Sequence, residues 1–245
     1  MRIILEDKLF VMDLGFTTYT NAWEQQKKTL QKRINNETPD TLMLVEHPPT
    51  ITFGVSNSEW NKLKVDINEL DKNGVEFYGK TDRGGGAAFL GPGQIVGYAI
   101  MRWKWNGLYD LMSSFEEVMI KTANDFNIPI TRVDTMNPIT DKPYRATWYK
   151  QDNGYKVLCT KGIGTKRIGE WIYTHHGFAL NVNTTNIDYT KLIDPCGFPE
   201  DKIQPISMQT ILGRKLNLQD VKDKLVNRFA EVFNKKEVEF DGVRV

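Results

Sequence analysis

The sequence predicts an α+β fold, a mixed or antiparallel sheet flanked by helices, on three observations. Strand-like apolar runs and segments with helical periodicity are mixed without the regular alternation of a doubly wound parallel fold. Asp152-Asn153-Gly154 separates two strand-like runs, ATWYK and YKVLCT, and Asn-Gly tolerates the positive φ that a tight hairpin needs. One clear amphipathic helix is expected over about 108–127, where Leu108, Leu111, Met112, Phe115, Val118, Met119, Thr122 and Phe126 mark one face. The 245 residues, 40% hydrophobic and 11% aromatic, suffice for one large core, so a single domain over 1–245 is expected.

Along the chain, Ile3 to Leu14 has strand-like content, and Asn21 to Ile34 reads as a helix through Ala22, Gln25 or Gln26, Leu30 and Ile34. The strand expected at 41–47 stops at Pro48-Pro49, because proline cannot donate to a ladder. A short strand follows over Thr50 to Gly54, and residues 75–82 lead into a glycine-rich segment, Arg83 to Gly97. Beyond the proline-containing stretch 129–143, residues 171–183 read as one or two strands. Ser207 is a plausible cap for a short helix, and Leu218, Val221, Leu225, Phe229 and Val232 mark a longer one. No internal repeat or low-complexity tract is present.

The formal net charge of +1, with both signs interspersed, lacks the basic footprint of a nucleic-acid binder. Glu6, Asp7 and Asp13 break the N-terminal apolar runs in a way that neither a signal nor a transit peptide would, and no apolar run approaches membrane-spanning length. A soluble, cytoplasmic protein is therefore expected, with no membrane partner. Its two cysteines, Cys159 and Cys196, do not make a disulfide framework.

Three stretches could carry chemistry. The first is Arg83 to Ile100, whose glycines would let backbone approach a ligand closely; it lacks the Lys-[Ser/Thr] ending of a P-loop, and a bulged hairpin is the plainer reading. The second is the His175-His176 pair. Only His47 remains as a further histidine and no carboxylate stands at ligand spacing, so no metal is expected. The third is Pro195-Cys196-Gly197, a thiol in a turn; spacing alone leaves open whether it is a nucleophile or a small buried hydrophobe. Cys159, inside VLCT, reads as core.

Taken in order, these stretches resemble the octanoyltransferase (lipoate-protein ligase B) family. The matching runs are Arg83-Gly84-Gly85, Gly91-Pro92-Gly93-Gln94-Ile95-Val96-Gly97-Tyr98, His176-Gly177-Phe178-Ala179-Leu180-Asn181-Val182 and Pro195-Cys196-Gly197, with milder matches at Tyr19 to Gln26, Glu46-His47-Pro48-Pro49 and Trp148. The resemblance implies the fold of the biotin and lipoate ligase catalytic domains and a transfer that needs no cofactor. Octanoyl would pass from octanoyl-acyl carrier protein, through a thioester on Cys196, to a lysine of a lipoyl domain such as the glycine-cleavage H protein or a 2-oxoacid dehydrogenase E2.

It also implies a lysine beside the thiol: counting back from His176 without gaps gives Lys161, with Lys156 second, whereas aligning the family's pattern glycine to Gly164 would put Cys159 at that position. The substrate-binding set implied is Arg83, Gly84, Gly85, Gly86, Ala87, Ala88, Phe89, Leu90, Gly162, Ile163, Gly164, His176, Gly177, Phe178 and Ala179. Amides of Gly162 to Gly164 or Gly177 to Ala179 are candidate oxyanion donors. Leu90 departs from the family's usual histidine, and the doubled histidine suggests a local insertion. Rival readings are an amidotransferase between lipoyl domains and a non-catalytic binding module. A monomer is expected.

Overall fold

The computed structural model describes residues 5–55, 63–132, 135–136, 143–144, 147–151, 154–184, 192–193 and 204–241. Cys196 and its neighbours Pro195 and Gly197 lie outside these residues, as does most of the stretch 129–143. In chain order the elements are β1 (Lys8–Phe16), α1 (Tyr19–Ile34), β2 (Asp40–Glu46), β3 (Thr50–Phe53), α2 (Ile67–Lys72), β4 (Glu76–Tyr78), β5 (Ala87–Leu90), β6 (Gln94–Ile100), β7 (Arg102–Lys104) and α3 (Leu108–Asn124). Then follow β8 (Ile130–Arg132), β9 (Thr135–Met136), β10 (Pro143–Tyr144), β11 (Thr147–Gln151), β12 (Gly154–Ile168), β13 (Trp171–Asn181), β14 (Gln204–Pro205), α4 (Met208–Leu212), α5 (Leu218–Val232) and β15 (Glu237–Phe240).

The main sheet runs β15-β1-β2-β6-β13-β12-β11-β8, with β14 beside β12 and β7 beside β13. It is mixed: β1 is parallel to β15 and β2, whereas the path from β2 to β8 is antiparallel. Side chains alternate across a strand, and both faces are covered. Leu42 and Leu44 of β2, with Ile95 and Ala99 of β6, meet α3 and α5, where Phe115 lies 5.3 Å from Phe233 and 6.1 Å from Phe229 between ring centres. Met43 and Val45, with Val96, Tyr98 and Ile100, face the other way onto Tyr19 and Ala22 of α1. Thr18 caps α1 by accepting from the Asn21 amide, and Ser207 caps α4 as its sequence position predicts.

A second sheet, β4-β3-β5, packs with Leu70 of α2 around Ile51, Phe53 and Phe89. The plain hairpin reading of the glycine-rich segment is therefore wrong. Its first strand, β5, pairs with β3, while the next, β6, lies between β2 and β13 in the main sheet. The two strands wall a cavity between the sheets. β12 is also longer than its apolar run suggests, because Gly162 and Gly164 pair in register with β13 across an uninterrupted ladder from Cys159↔Leu180 to Ile168↔Trp171. That continuous register leaves no bulge for the doubled histidine to occupy on the β12 side.

A buried charge cluster ties elements distant in sequence to this frame. Asp40, 3% exposed, accepts from Arg33 Nε at 2.8 Å, Lys235 Nζ at 2.7 Å and the Arg102 amide at 3.0 Å, joining α1, β2, β7 and the segment after α5. Removing one member of a buried ion pair strands the others in low dielectric. Asp40→Ala is expected to lower stability by about 3–5 kcal/mol, read as a drop in urea midpoint with the m-value unchanged; a loss below about 1 kcal/mol would show that water reaches the cluster.

Candidate functional site

The cavity encloses about 160 Å³ between the two sheets. Ala87 to Leu90 of β5 form one wall; Gln94, Val96 and Tyr98 of β6, Thr160 to Gly162 of β12 and His176 to Ala179 of β13 form the other, closed by Tyr19 and Ile193. One side is a loop, Arg83–Gly86, laid flat on β12. The Gly84 amide donates to the Ile163 carbonyl at 3.0 Å, and a Cβ on Gly162 would stand 2.9 Å from the Gly84 oxygen, so neither chain could approach this closely with side chains at both glycines. Arg83 holds the loop's shape from inside: Nε donates to Thr52 Oγ1, Nη2 to the Thr52 and Gly86 carbonyls, and Nη1 to the Gly84 carbonyl, at 2.6 to 3.0 Å.

Lys161 lines the cavity with its side chain only 6% exposed, paired to Glu116 of α3, itself 5% exposed. The second Glu116 oxygen lies 3.2 Å from Arg132 Nε, so the carboxylate links an interior ammonium to a partly exposed guanidinium. Cys159 stands behind the wall in a smaller hollow with Phe115, Met119 and Phe178. Burial pushes its thiol up to about 12, despite the counteracting charge of Lys161, which makes it a core residue and a poor nucleophile at neutral pH. Lys156 pairs across β12 with Tyr149 of β11 and does not line the cavity.

Around this wall runs a polar cluster. His176 Nε2 donates to Asp82 Oδ1 at 2.7 Å, its backbone N–H donates to Gln26 Oε1 of α1, and burial lowers the imidazole's pKa. Asp82 is held well below the usual carboxylate range by the close approach of the His175 and His176 rings to its two oxygens. His47, fully buried, contacts the Thr17 carbonyl through Nδ1 at 2.8 Å and the Tyr98 hydroxyl through Nε2 at 2.7 Å. A carbonyl can only accept, so Nδ1 carries the proton and Tyr98 donates to Nε2.

With this geometry in hand, comparison with known proteins is decisive. Residues 18–230 match the lipoyl protein ligase A/B catalytic domain. This chain belongs to that family. It is 36% identical over 232 residues to an octanoyltransferase of Rubrobacter xylanophilus, covering 93% of this chain and 96% of the relative. It is 37% identical over 226 residues to one of a Thermoanaerobacter species, covering 91% and 89%. Among solved structures, lipoate-protein ligase A bound with ATP aligns at TM-score 0.69 and 11% identity, over 97% of this chain and 88% of that one. A bi-partite lipoate protein ligase of Thermoplasma acidophilum aligns at 0.65 and 11%, over 97% and 87%. At such identities these structures speak to the fold, which is the α+β fold expected. The chain is an acyltransferase.

On this ligase-family scaffold, the residues singled out by sequence separate into two layers. Arg83, Gly85, Gly86, Ala87, Ala88, Phe89, Leu90, Lys161, Gly162, His176, Gly177, Phe178 and Ala179 face the cavity. Gly84, Ile163 and Gly164 stand behind it and shape the backbone contact. Residues 177–179 pair with β6 on one side and β12 on the other, which commits their amides to the sheet and removes them as oxyanion donors. No carboxylate stands at ligand spacing beside the histidines in the sequence, but in the fold Asp82 reaches them from a distant part of the chain. Sequence reasoning missed Asp82 and Glu116, which no local spacing reveals, and quoted Gln94 and Asn181 in matching runs without giving them a site role; these two are hydrogen-bonded to each other at 2.8 Å in the cavity wall. Both stand as polar residues in otherwise apolar strands, and that was their available signal.

Burial lowers His47 to about 4 from its ordinary 6.5. Between these values the unfolded chain takes up a proton that the folded chain refuses, so stability falls as pH drops through the window, by at most on the order of 3 kcal/mol. Asp82 adds its own loss only once pH falls to its ordinary 3.8 and below. Urea midpoints measured at pH 7 and pH 4.5 are expected to fall in the native chain and to fall markedly less in His47→Gln.

Proposed function

We propose that this acyltransferase moves an octanoyl group from acyl carrier protein to a lysine of a lipoyl domain, through a thioester on Cys196 assisted by Lys161. The observation that carries the reading is a buried amine, that of Lys161, set in the wall of a largely apolar cavity, in a chain that shares 36% of its residues with an octanoyltransferase over nearly its full length. Ile193 lines the same cavity and stands three residues before Cys196 in the sequence.

The chemistry needs no activation by ATP, because the donor is already a thioester. The Cys196 thiolate attacks the carbonyl, a new C–S bond forms, and the carrier thiolate leaves with a proton. The acceptor amine, deprotonated, then attacks the enzyme thioester, forms the amide and expels the Cys196 thiolate. Lys161 supplies the positive charge that favours a thiolate and exchanges protons at Nζ. Glu116 holds that amine in place and balances its charge in the interior. Phe89, Leu90, Val96 and Phe178 offer apolar surface to the acyl chain, and Leu90, where relatives of the resemblance carry histidine, makes that wall more apolar. The lipoyl-domain acceptor accords with the Thermoplasma acidophilum lipoylation system, a bi-partite lipoate protein ligase and its E2 lipoyl domain.

Intact-mass analysis after mixing with octanoyl-acyl carrier protein tests both halves. A single octanoyl adduct mapped to Cys196 is expected, absent in Cys196→Ser. Lys161→Ala is expected to lower turnover at least a hundredfold with the fold retained, whereas Lys156→Ala should act like the native chain. Undiminished transfer by Cys196→Ser, or transfer from an octanoylated lipoyl domain in preference to the carrier thioester, would refute the proposal.

A further inference from the structure

Outside the acyl chemistry, the cluster of Asp82, His175 and His176 stands out. Consecutive strand residues point to opposite faces, yet both histidine rings reach one carboxylate: His175 Nε2 lies 3.2 Å from Oδ2 and His176 Nε2 lies 2.7 Å from Oδ1. The break in alternation has a backbone cause. His176 has φ +55°, in the left-handed region that a non-glycine residue enters at a cost of about 1–3 kcal/mol. The opposing strand is also cut away to receive the neighbouring ring, since a Cβ on Gly164 would lie 2.3 Å from His175 Nε2 and 2.6 Å from the Asp82 carbonyl. Both rings are buried, at 8% and 1% exposure, and neither Nδ1 has a hydrogen-bond partner among the described residues; the His175 Nε2 contact with Asp82 falls outside hydrogen-bond geometry. Asp82, by contrast, has a side chain 53% exposed, so the cluster opens to solvent on one side.

One ligand atom from each of the three residues lies within 4.8 Å of the others. Two imidazoles and a carboxylate are the donor set of a borderline divalent ion, bound at about 2.0–2.2 Å from each ligand, with a fourth position left to water. We propose that Asp82, His175 and His176 form a binding site for a divalent transition metal of the zinc type. Such an ion would replace the two contacts to Asp82 with bonds that staple β13 to the residue preceding the Arg83 loop. The proposal does not depend on the identity of the acyl group or on the thioester, because none of the three ligands takes part in those steps. The buried Arg83 guanidinium, next to Asp82 in the chain, opposes a second cation, so binding should be saturable but weaker than in a closed four-ligand structural site.

Calorimetric titration of the full chain with zinc chloride, after chelator treatment and dialysis, tests this. One equivalent is expected to bind to the native chain and to Cys196→Ser alike. Affinity should fall at least tenfold in His175→Phe and in Asp82→Asn, each checked by circular dichroism for a native fold. Should His175→Phe fail to fold, Asp82→Asn, altering a half-exposed side chain, carries the comparison alone. Cobalt substituted at the site should show the visible absorption of a low-symmetry nitrogen and oxygen environment. No stoichiometric binding by the native chain, binding undiminished in Asp82→Asn, or binding lost in Cys196→Ser would each overturn the assignment.

Discussion

Two backbones meet where the Arg83–Gly86 loop lies against β12, and the site depends on their being able to touch. The Gly84 amide bonds to the Ile163 carbonyl, while Gly162 faces the Gly84 oxygen at a separation that excludes a side chain. Because the small sheet joins the large one through this contact, its closeness sets how far β5 stands from β13 and so how wide the cavity opens. The same constraint fixes Lys161, the residue before Gly162, at the rim of the contact rather than on a mobile segment. Arg83 reinforces the arrangement by committing its guanidinium to Thr52 and to the carbonyls of its own loop.

Charge within this wall is balanced locally. An isolated ammonium at 6% exposure would lose much of its hydration, and Glu116 offsets that loss from the facing helix. The helix is therefore more than a cover for the sheet: its apolar stripe, through Phe115 and Met119, closes the core, while one acidic residue within the same stripe serves the cavity. On the other face, α1 plays a matching part, sending Tyr19 into the cavity and Gln26 to the backbone amide of His176, the residue with left-handed φ.

Local patterns revealed the elements whose signals were strong. The stripe from Leu111 to Thr122 located α3, Asn153-Gly154 identified the antiparallel partnership of β11 and β12, and Pro48-Pro49 marked the end of β2. Less legible were elements that tertiary pairing imposes against propensity. The glycines of β12 have no strand propensity of their own, yet they are strand because β13 pairs with them along the whole hairpin. α2 is a single short stretch with only Leu70 buried, and β15 exists as a strand because β1 offers a parallel edge. For the site, ordered motifs indicated the cavity wall, but Asp82 and Glu116 join it across separations of 94 and 45 residues. No spacing rule spans such distances, since only the folded topology brings those side chains together.

Whether this cavity receives the acyl chain can be asked directly by photolabelling. An octanoyl-carrier thioester bearing a diazirine at the far end of the chain would be mixed with the protein, irradiated, and the modified peptides sequenced by mass spectrometry. The account predicts label on cavity residues such as Leu90, Val96, Phe178 or Ala179. Label confined to α5, β15 or other surfaces away from the wall, at equal yield with and without competing octanoyl thioester, would contradict it.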